Sequence, residues 1–502
     1  MKPKFSFIDL FAGIGGFRLA LTNLGGECIG FSEIAPDAID AYCTNYKEDR
    51  SLNLGDITKL KSIPSSGILT AGVPCQSWSI AGRKLGFDDS RGQLWNDALY
   101  LLNESKPKAF IFENVKGLAD PRNEKALQYI MQQIEEAGYH ANYHLLNSYD
   151  YGVPQSRVRI YIIGFKDKKF ADRFELPHTS HSNTMLAQIL ETGVTAENVV
   201  SSRSGRQSLS VNNQGFNDYF LFNDLRNGDT TVHSWDIIET TTVEKELCLS
   251  LLLNRRKSKY GILDGNPLSI NHLMELDPRF TIDVVNSLLD KGILKEENYL
   301  FRIIQRDLIS EEYLPLFPKK VNNSFSIDEL KLSRYAKVNK IKVTALISQM
   351  CEDNIVECVE RRYDFKNTKI STGLNGINRI FLPTSRVYPT LVASDTNDFF
   401  TDIHISANSA EEYKRKFLDE VYFPGNYRRI TKEEACAIQG FPRDFELPTS
   451  RARWMKLIGN SVAVKMIQQL AEQIIATGVF NEEDYVPSLS KRKNEIQLSL
   501  FD

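Results

Sequence analysis

Residues 5–17 read FSFIDLFAGIGGF, an apolar run of strand character that passes without a break into Ala12-Gly13-Ile14-Gly15-Gly16. A strand ending in a glycine-rich turn lets a ligand come close to the backbone. The next apolar run, ECIGFSEI, ends at Ser32-Glu33-Ile34, with the acid twenty residues after Gly13. That spacing suits the two hydroxyls of a ribose. The pattern is not GxGxxG, so a single nucleoside fits it better than a dinucleotide; a turn that merely packs a helix onto a sheet is the competing explanation.

Working outward, GILTAGV, KAFIFENV, YHANYHLLN and RIYIIGF continue the alternation of apolar runs with amphipathic stretches to about residue 165. This is the rhythm of a parallel sheet with crossover helices. From about 170 the pattern breaks into polar loops such as SSRSGRQSLSVNNQG at 201–215. Within this second region VEKELCLSLLL, PLSINHLMELDP and TIDVVNSLLDKGILKEENYLFRII follow the order helix, helix, helix, β-hairpin of a winged helix. A weaker echo runs from SIDELKLSRYAK to VTALISQMCEDNIVECVERRYDF. Generic amphipathic helices of an insertion explain the same pattern. After about 425 the stretch LIGNSVAVKMIQQLAEQIIATG puts Val462, Met466, Ile467, Leu470 and Ile474 on one helix face, with Asn460 or Ser461 as N-cap and Gly478 as the stop.

With 502 residues, 42% of them hydrophobic, the chain has the material for a packed core in two or three domains. Its 61 Lys+Arg against 64 Asp+Glu exclude a protein that holds nucleic acid by gross positive charge, so any such site is local. Lys331 to Lys342 (KLSRYAKVNKIK) carries five basic and no acidic residues, and Asn254 to Lys259 carries four basic ones. Each is either a phosphate contact or a solvated face. The seven cysteines are scattered without a CxxC pair, which supports neither a zinc cluster nor a disulfide framework. No 18 apolar residues run together and Asp9 interrupts the first apolar stretch, so a cytoplasmic protein is expected.

Chemistry concentrates in three further blocks. In Ala71-Gly72-Val73-Pro74-Cys75-Gln76-Ser77-Trp78-Ser79 a cysteine stands behind a rigid proline at a strand end, the place for a reactive thiol, although a lone cysteine also serves as a small buried hydrophobe. The strand Ala109-Phe110-Ile111-Phe112 ends in Glu113-Asn114-Val115, at the carboxyl edge where open α/β sheets bind ligands. Gln155-Ser156-Arg157-Val158-Arg159 precedes a strand, and alternation points both arginines one way. Paired cations beside a thiol favour the thiolate and grip phosphate. Asp56, after what reads as the third strand, either accepts from an adenine amino group or caps a turn.

Together these blocks resemble the DNA (cytosine-5) methyltransferases, bacterial members especially, over about 165 N-terminal and about 80 C-terminal residues. DLFAGIGG resembles that family's S-adenosylmethionine loop, GVPCQSWS its nucleophile block, ENV its glutamate block and QSRVR its arginine block. GNSVAV at 459–464 is similar to the motif that folds back to complete the cofactor pocket, and RITKEEACAIQGFP at 429–442 to the segment before it. Val73 departs from the second proline many relatives carry. The resemblance implies a Rossmann-like methyltransferase domain in two parts, 1–170 and 425–502, around a target-recognition region at 171–424 with winged-helix-like parts.

The same resemblance implies Cys75 as nucleophile toward carbon 6 of a flipped cytosine, with Glu113, Arg157 and Arg159 as catalytic partners. Phe11, Gly13, Gly15, Gly16, Glu33 and Ile34 fall on the implied cofactor pocket. So do Asp56, Ile57, Pro74, Asn460 and Ser461. The loop from Ala81 to Gln93 looks like the family's lid, and Gln76, Ser79, Arg83, Lys84 and Arg91 are expected on double-stranded DNA. S-adenosylmethionine is the implied cofactor, without a metal, in restriction–modification or an epigenetic role at the nucleoid. QLSLF near the C-terminus (Gln497, Leu498, Leu500, Phe501) resembles the peptide that docks bacterial DNA enzymes on the sliding clamp; a tuck against the chain's own domain is the alternative. Three rival functions explain less. An RNA cytosine methyltransferase would have a compact middle, a non-catalytic DNA-binding regulator would not need the intact Cys75, Glu113, Arg157 and Arg159, and a nicotinamide oxidoreductase leaves the later blocks unexplained.

Overall fold

The structure is a computed structural model that describes residues 3–74, 93–179, 186–190, 219–221, 232–263, 265–317, 323–366 and, with short gaps, 377–481. Cys75, Gln76, Ser79, Arg83, Lys84, Arg91 and the tail residues Gln497, Leu498, Leu500 and Phe501 lie outside the described residues.

The first glycine-loop strand, β1 (Phe5–Leu10), lies inside a six-stranded sheet with β2 (Gly26–Ser32), β3 (Ile68–Gly72), β4 (Ala109–Val115), β5 (His140–Asn147) and β7 (Val158–Phe165), in the order β2-β1-β3-β4-β7-β5. A two-residue strand, β6 (Gln155–Ser156), precedes β7 and pairs with Tyr388–Pro389. Helices α1 (Gly16–Asn23), α2 (Pro36–Tyr46), α3 (Leu94–Ser105) and α4 (Glu124–Glu136) occupy the connections. Alternate strand residues feed two cores. Phe5, Phe7, Ile68, Ile111 and Ile163 pack with α1 and the helix Val464–Ala476, whereas Ile8, Leu10, Leu69, Phe110 and Phe112 pack with α3 and α4.

The run RIYIIGF, read as another parallel strand, is antiparallel to both β4 and β5. Only residues 148–157 separate β5 from β7, too few for a crossover helix, so the pair closes as an antiparallel connection.

The last helix, Val464–Ala476, has four of its five expected face residues, since Met466, Ile467, Leu470 and Ile474 are fully buried and Gly478 follows it with φ +78°; Val462 is buried too but lies ahead of the helix. Its N-cap is Ala463, without a side-chain hydrogen bond, rather than Asn460 or Ser461. Asn460 instead closes the preceding helix, Arg451–Asn460. Behind Gly478 the chain lays Phe480 on Phe5, ring centroids 4.9 Å apart, returning the C-terminal part to the first strand.

The middle region and the start of the C-terminal part share a four-stranded sheet in the order Arg428–Arg429, Asp398–Phe400, Arg379–Phe381, Tyr219–Leu221. Between its neighbouring strands Tyr219–Leu221 and Arg379–Phe381 a helical module is inserted over 232–366. Helices Thr242–Asn254, Ile270–Leu276 and Ile282–Asp290 appear in the expected order. The hairpin does not: ILKEENYLFRII forms one ten-residue strand, Leu294–Ile303, because it contains no glycine or proline and its Asn298 is not followed by the glycine of a tight hairpin turn. Its partner is Val356–Phe365, the strand that ends the echoing segment, and the two run antiparallel along their length.

Candidate active site

The loop after β1 is built for close approach. Phe11 and Gly13 both take left-handed backbone, φ 53° and 56°, and around the position of a Gly13 Cβ nothing lies within 4 Å. A side chain there would fill open space that a ligand can use. Gly16 has the opposite reason: a Cβ would meet Val462 Cγ2 at 2.7 Å and Ser461 Oγ at 2.8 Å, so glycine lets the C-terminal segment close on α1. Gly15 is hemmed by Tyr46, whose hydroxyl donates to the Gly15 carbonyl at 2.6 Å.

Glu33 is fixed where the loop ends. Its Oε2 accepts from the Gly13 N–H at 2.8 Å, and its Oε1 from the N–H groups of Ile34 and Ala35, both at 2.8 Å. Three backbone donors leave Oε2 with acceptor capacity for a hydroxyl. Beside it Ile34 is 69% exposed, an apolar surface available to a flat ring. Asn53 braces this corner: its Oδ1 accepts from Glu33 N and Gly55 N, and its Nδ2 donates to the Glu33 carbonyl at 3.0 Å. The sequence reading passed over Asn53, although its place two residues before the Gly55-Asp56 turn was a signal. Asp56 is the N-cap of the short helix Ile57–Lys59, accepting from Thr58 N at 3.0 Å, while Ile57 is buried in the core. Open space around a Gly55 Cβ adjoins this turn. Asp9, on the floor of the loop, is fully buried: Oδ1 accepts from Thr70 Oγ1 at 2.9 Å and burial pushes its carboxyl up to about 7.

The second cluster sits at adjoining strand ends. Glu113 pairs in register with Gly72, the last residue of β3, two residues before Pro74 and three before Cys75. Asn114, fully buried, donates to the Val73 carbonyl at 3.1 Å and so anchors the segment leading to the thiol; this brace too was not anticipated. Arg159 Nε stands 3.1 Å from Glu113 Oε1, both side chains largely buried. That oxygen has no aligned hydrogen bond, so a buried carboxylate is charge-balanced yet retains an open acceptor.

The two arginines have different surroundings. Arg157 lies at the break between β6 and β7 and is 3% exposed. Its guanidinium donates to the carbonyls of Leu391 (2.9 Å), Gly459 (3.3 Å) and Ser461 (2.7 Å). Gln155 and Gln439 extend this network: Gln155 Nε2 donates to Gln439 Oε1, and Gln439 Nε2 to the Ser461 carbonyl, each at 2.7 Å. Gly459 permits it, since a Cβ there would collide with the Val392 backbone at 2.3 Å. Arg157 therefore ties the arginine block, the middle region and the GNSVAV segment together from within the protein. Asn460 is exposed and Ser461 buried beside Gly16.

The pattern of these blocks matches the family of C-5 cytosine-specific DNA methylases over residues 5–476. The chain belongs to that family. It is 37% identical over 492 residues to the Type II methyltransferase M.HgiBI of Herpetosiphon aurantiacus, covering 96% of this chain and 99% of that protein. It is 29% identical to M.BanI of Aneurinibacillus aneurinilyticus over 95% and 97% of the two chains. M.HhaI of Haemophilus parahaemolyticus is 41% identical over 199 residues, 39% of this chain and 60% of that one. This methylase is thus a DNA cytosine-5 methyltransferase, and membership implies S-adenosylmethionine as methyl donor. Glu33 with spare acceptor capacity, the exposed Ile34 and the open space at Gly13 and Gly55 fit a ribose and a flat base. Among the described residues no helix is long and apolar enough to cross a membrane, and no group of His, Cys, Asp or Glu could hold a metal.

Proposed function

We propose that methyl transfer runs through a covalent adduct between Cys75 and carbon 6 of a cytosine turned out of the duplex, with Glu113 on the base and Arg159 on Glu113. The observation that carries this reading is the convergence of Glu113, Arg159 and the Pro74 strand end on three neighbouring strands, β4, β7 and β3. Extruding the base costs a few kcal/mol. The Cys75 thiolate adds to carbon 6, and the electron pair flows toward carbon 5 as Glu113, in its protonated form, donates to ring nitrogen 3 and accepts from the exocyclic amine. When bound, S-adenosylmethionine supplies an electrophilic sulfonium methyl for carbon 5. Solvent water then takes the carbon 5 proton, and the electron pair of that bond restores the carbon 5–carbon 6 double bond as the carbon 6–sulfur bond breaks and Cys75 leaves as thiolate.

Phe11, Gly13, Glu33 and Ile34 would hold the donor's nucleoside, with Asp56, the Ile57 backbone, Pro74, Asn460 and Ser461 around it. Gln76, Ser79, Arg83, Lys84 and Arg91 would meet the DNA. Arg157 acts as a positioning residue, since its guanidinium is engaged by protein carbonyls. We place this work on chromosomal duplex in the cytoplasm; the names of the relatives, Type II methyltransferases, support a modification partner to a restriction enzyme. Docking of Gln497, Leu498, Leu500 and Phe501 on a sliding clamp is supported by the QLSLF sequence alone.

A mixed-sequence duplex containing 5-fluorocytosine tests the mechanism, because fluorine at carbon 5 cannot leave as a proton does. With S-adenosylmethionine the protein should form a complex that survives denaturation, and Cys75→Ala should form none. No complex with the unmodified protein, or one with Cys75→Ala, would overturn the adduct.

A further inference from the structure

The inserted module is a duplication whose halves share a core ribbon. The helix Ile282–Asp290 ends at Gly292 (φ 69°), and 62 residues later the helix Val343–Glu352 ends at Asn354 (φ 54°). Both ends close identically: Ile293 N donates to the Leu288 carbonyl at 3.0 Å and Ile355 N to the Met350 carbonyl at 2.9 Å. Each helix then feeds a ten-residue strand, and each strand packs into the other half. Tyr363 and Phe365, from the second strand, lie in the core with Leu247, Leu251 and Val285, while Tyr299, Phe301 and Ile303, from the first, lie in the core with Ile347 and Met350.

The halves share geometry but not charge. At the same 62-residue offset Glu275 of the first half becomes Lys337 of the second, Asp277 becomes Asn339 and Asp283 becomes Ala345. The contrast is confined to the stretch ahead of and into the second helix, since Asp290 is matched by Glu352 while Lys291 and Lys295 become Asp353 and Glu357. In that stretch the first half's Arg279 is neutralised by Asp277 and Glu246. In the second half Lys331, Lys337, Lys340 and Lys342 rim a notch of about 550 Å³. All four are exposed, and Lys337, Lys340 and Lys342 make no ion pair among the described residues. Lys340 even holds φ 53°, a backbone position that favours glycine or asparagine, in the turn that presents it. The adjoining helix turns Thr344, Ala345, Ser348 and Gln349 outward, and its first acid, Glu352, stands at its far end. The other basic run is different: Arg255 is buried, 2.7 Å from Asp364, and is structural.

We propose that the second half of this duplication is a phosphate-backbone clamp for duplex DNA, gripping through Lys337, Lys340 and Lys342. The inference rests on DNA being the substrate. Lysine is a compact point charge on a flexible stem, suited to phosphate and not to reading base edges, so the grip is independent of sequence. Three phosphate contacts make log K fall more steeply with log[salt], by about 0.9 per contact.

The test compares the full-length protein with the triple variant Lys337→Gln, Lys340→Gln, Lys342→Gln, whose sites are exposed, on a duplex methylated by the unmodified protein and on one of scrambled sequence. The variant should bind both duplexes more weakly by the same factor, with a salt slope shallower by about 2 to 3. Asp283→Asn, on the first half, should leave affinity and slope unchanged. Unaltered affinity and slope in the triple variant would overturn the clamp, as would a loss confined to the methylated sequence. If the unmodified protein methylates no duplex, the functional reading fails instead of the clamp.

Discussion

The Arg157 side chain carries more of the architecture than of the chemistry. It is a buried cation that satisfies three carbonyls from two distant segments. Hydrogen bonds to a charged group contribute about 1.5–3 kcal/mol each, and removal leaves the buried carbonyls unpaired. Arg157→Ala should therefore lower unfolding free energy by about 3 kcal/mol or more in denaturant titration. Arg159→Ala leaves the largely buried Glu113 without its cation and the Val158 carbonyl without that donor, so it too should cost stability, but its loss should also fall on turnover of the folded enzyme. Undiminished turnover in Arg159→Ala would contradict the division. Sequence alone treated the two arginines as equivalent because strand alternation was the available guide; the carbonyls that separate them lie 234 to 304 residues away. Glu33 was legible, since its spacing from Gly13 is a local consequence of one strand, one helix and one strand.

Among elements, those whose partners are near in sequence were readable and those with remote partners were not. The helix Val464–Ala476 declares its buried face by periodicity, and Gly478 declares its end. The strand Leu294–Ile303 was misread as a hairpin because its partner begins more than fifty residues later, at Val356. The second strand is tied to the first half's helix Thr242–Asn254 by Arg255, which donates to Asp364 at 2.7 Å and lies over the Phe365 ring. Both charges are largely buried, and burial pushes the Asp364 carboxyl up to about 6. Removing one partner strands the other: Asp364→Ala should destabilise the module by about 3–5 kcal/mol. Limited proteolysis should then cut within 232–366 while the six-stranded sheet persists. Unchanged resistance would show that the ribbon holds without this pair.

For the whole molecule, the sheet brings the corner around Glu33, the proposed nucleoside site, and a carboxylate–guanidinium pair at Glu113 and Arg159 to the same carboxyl edge. The C-terminal segment closes on α1 through Gly16. The central claim is methyl transfer to carbon 5 of cytosine in duplex DNA by way of Cys75. Incubating the protein with duplex DNA and S-adenosylmethionine bearing a deuterated methyl, then analysing the digested nucleosides by mass spectrometry, measures it directly. The label should appear in 5-methyl-2′-deoxycytidine at one sequence context, and with Cys75→Ser it should disappear. Label on the exocyclic amine of cytosine or on adenine, or an undiminished rate with Cys75→Ser, would contradict the account.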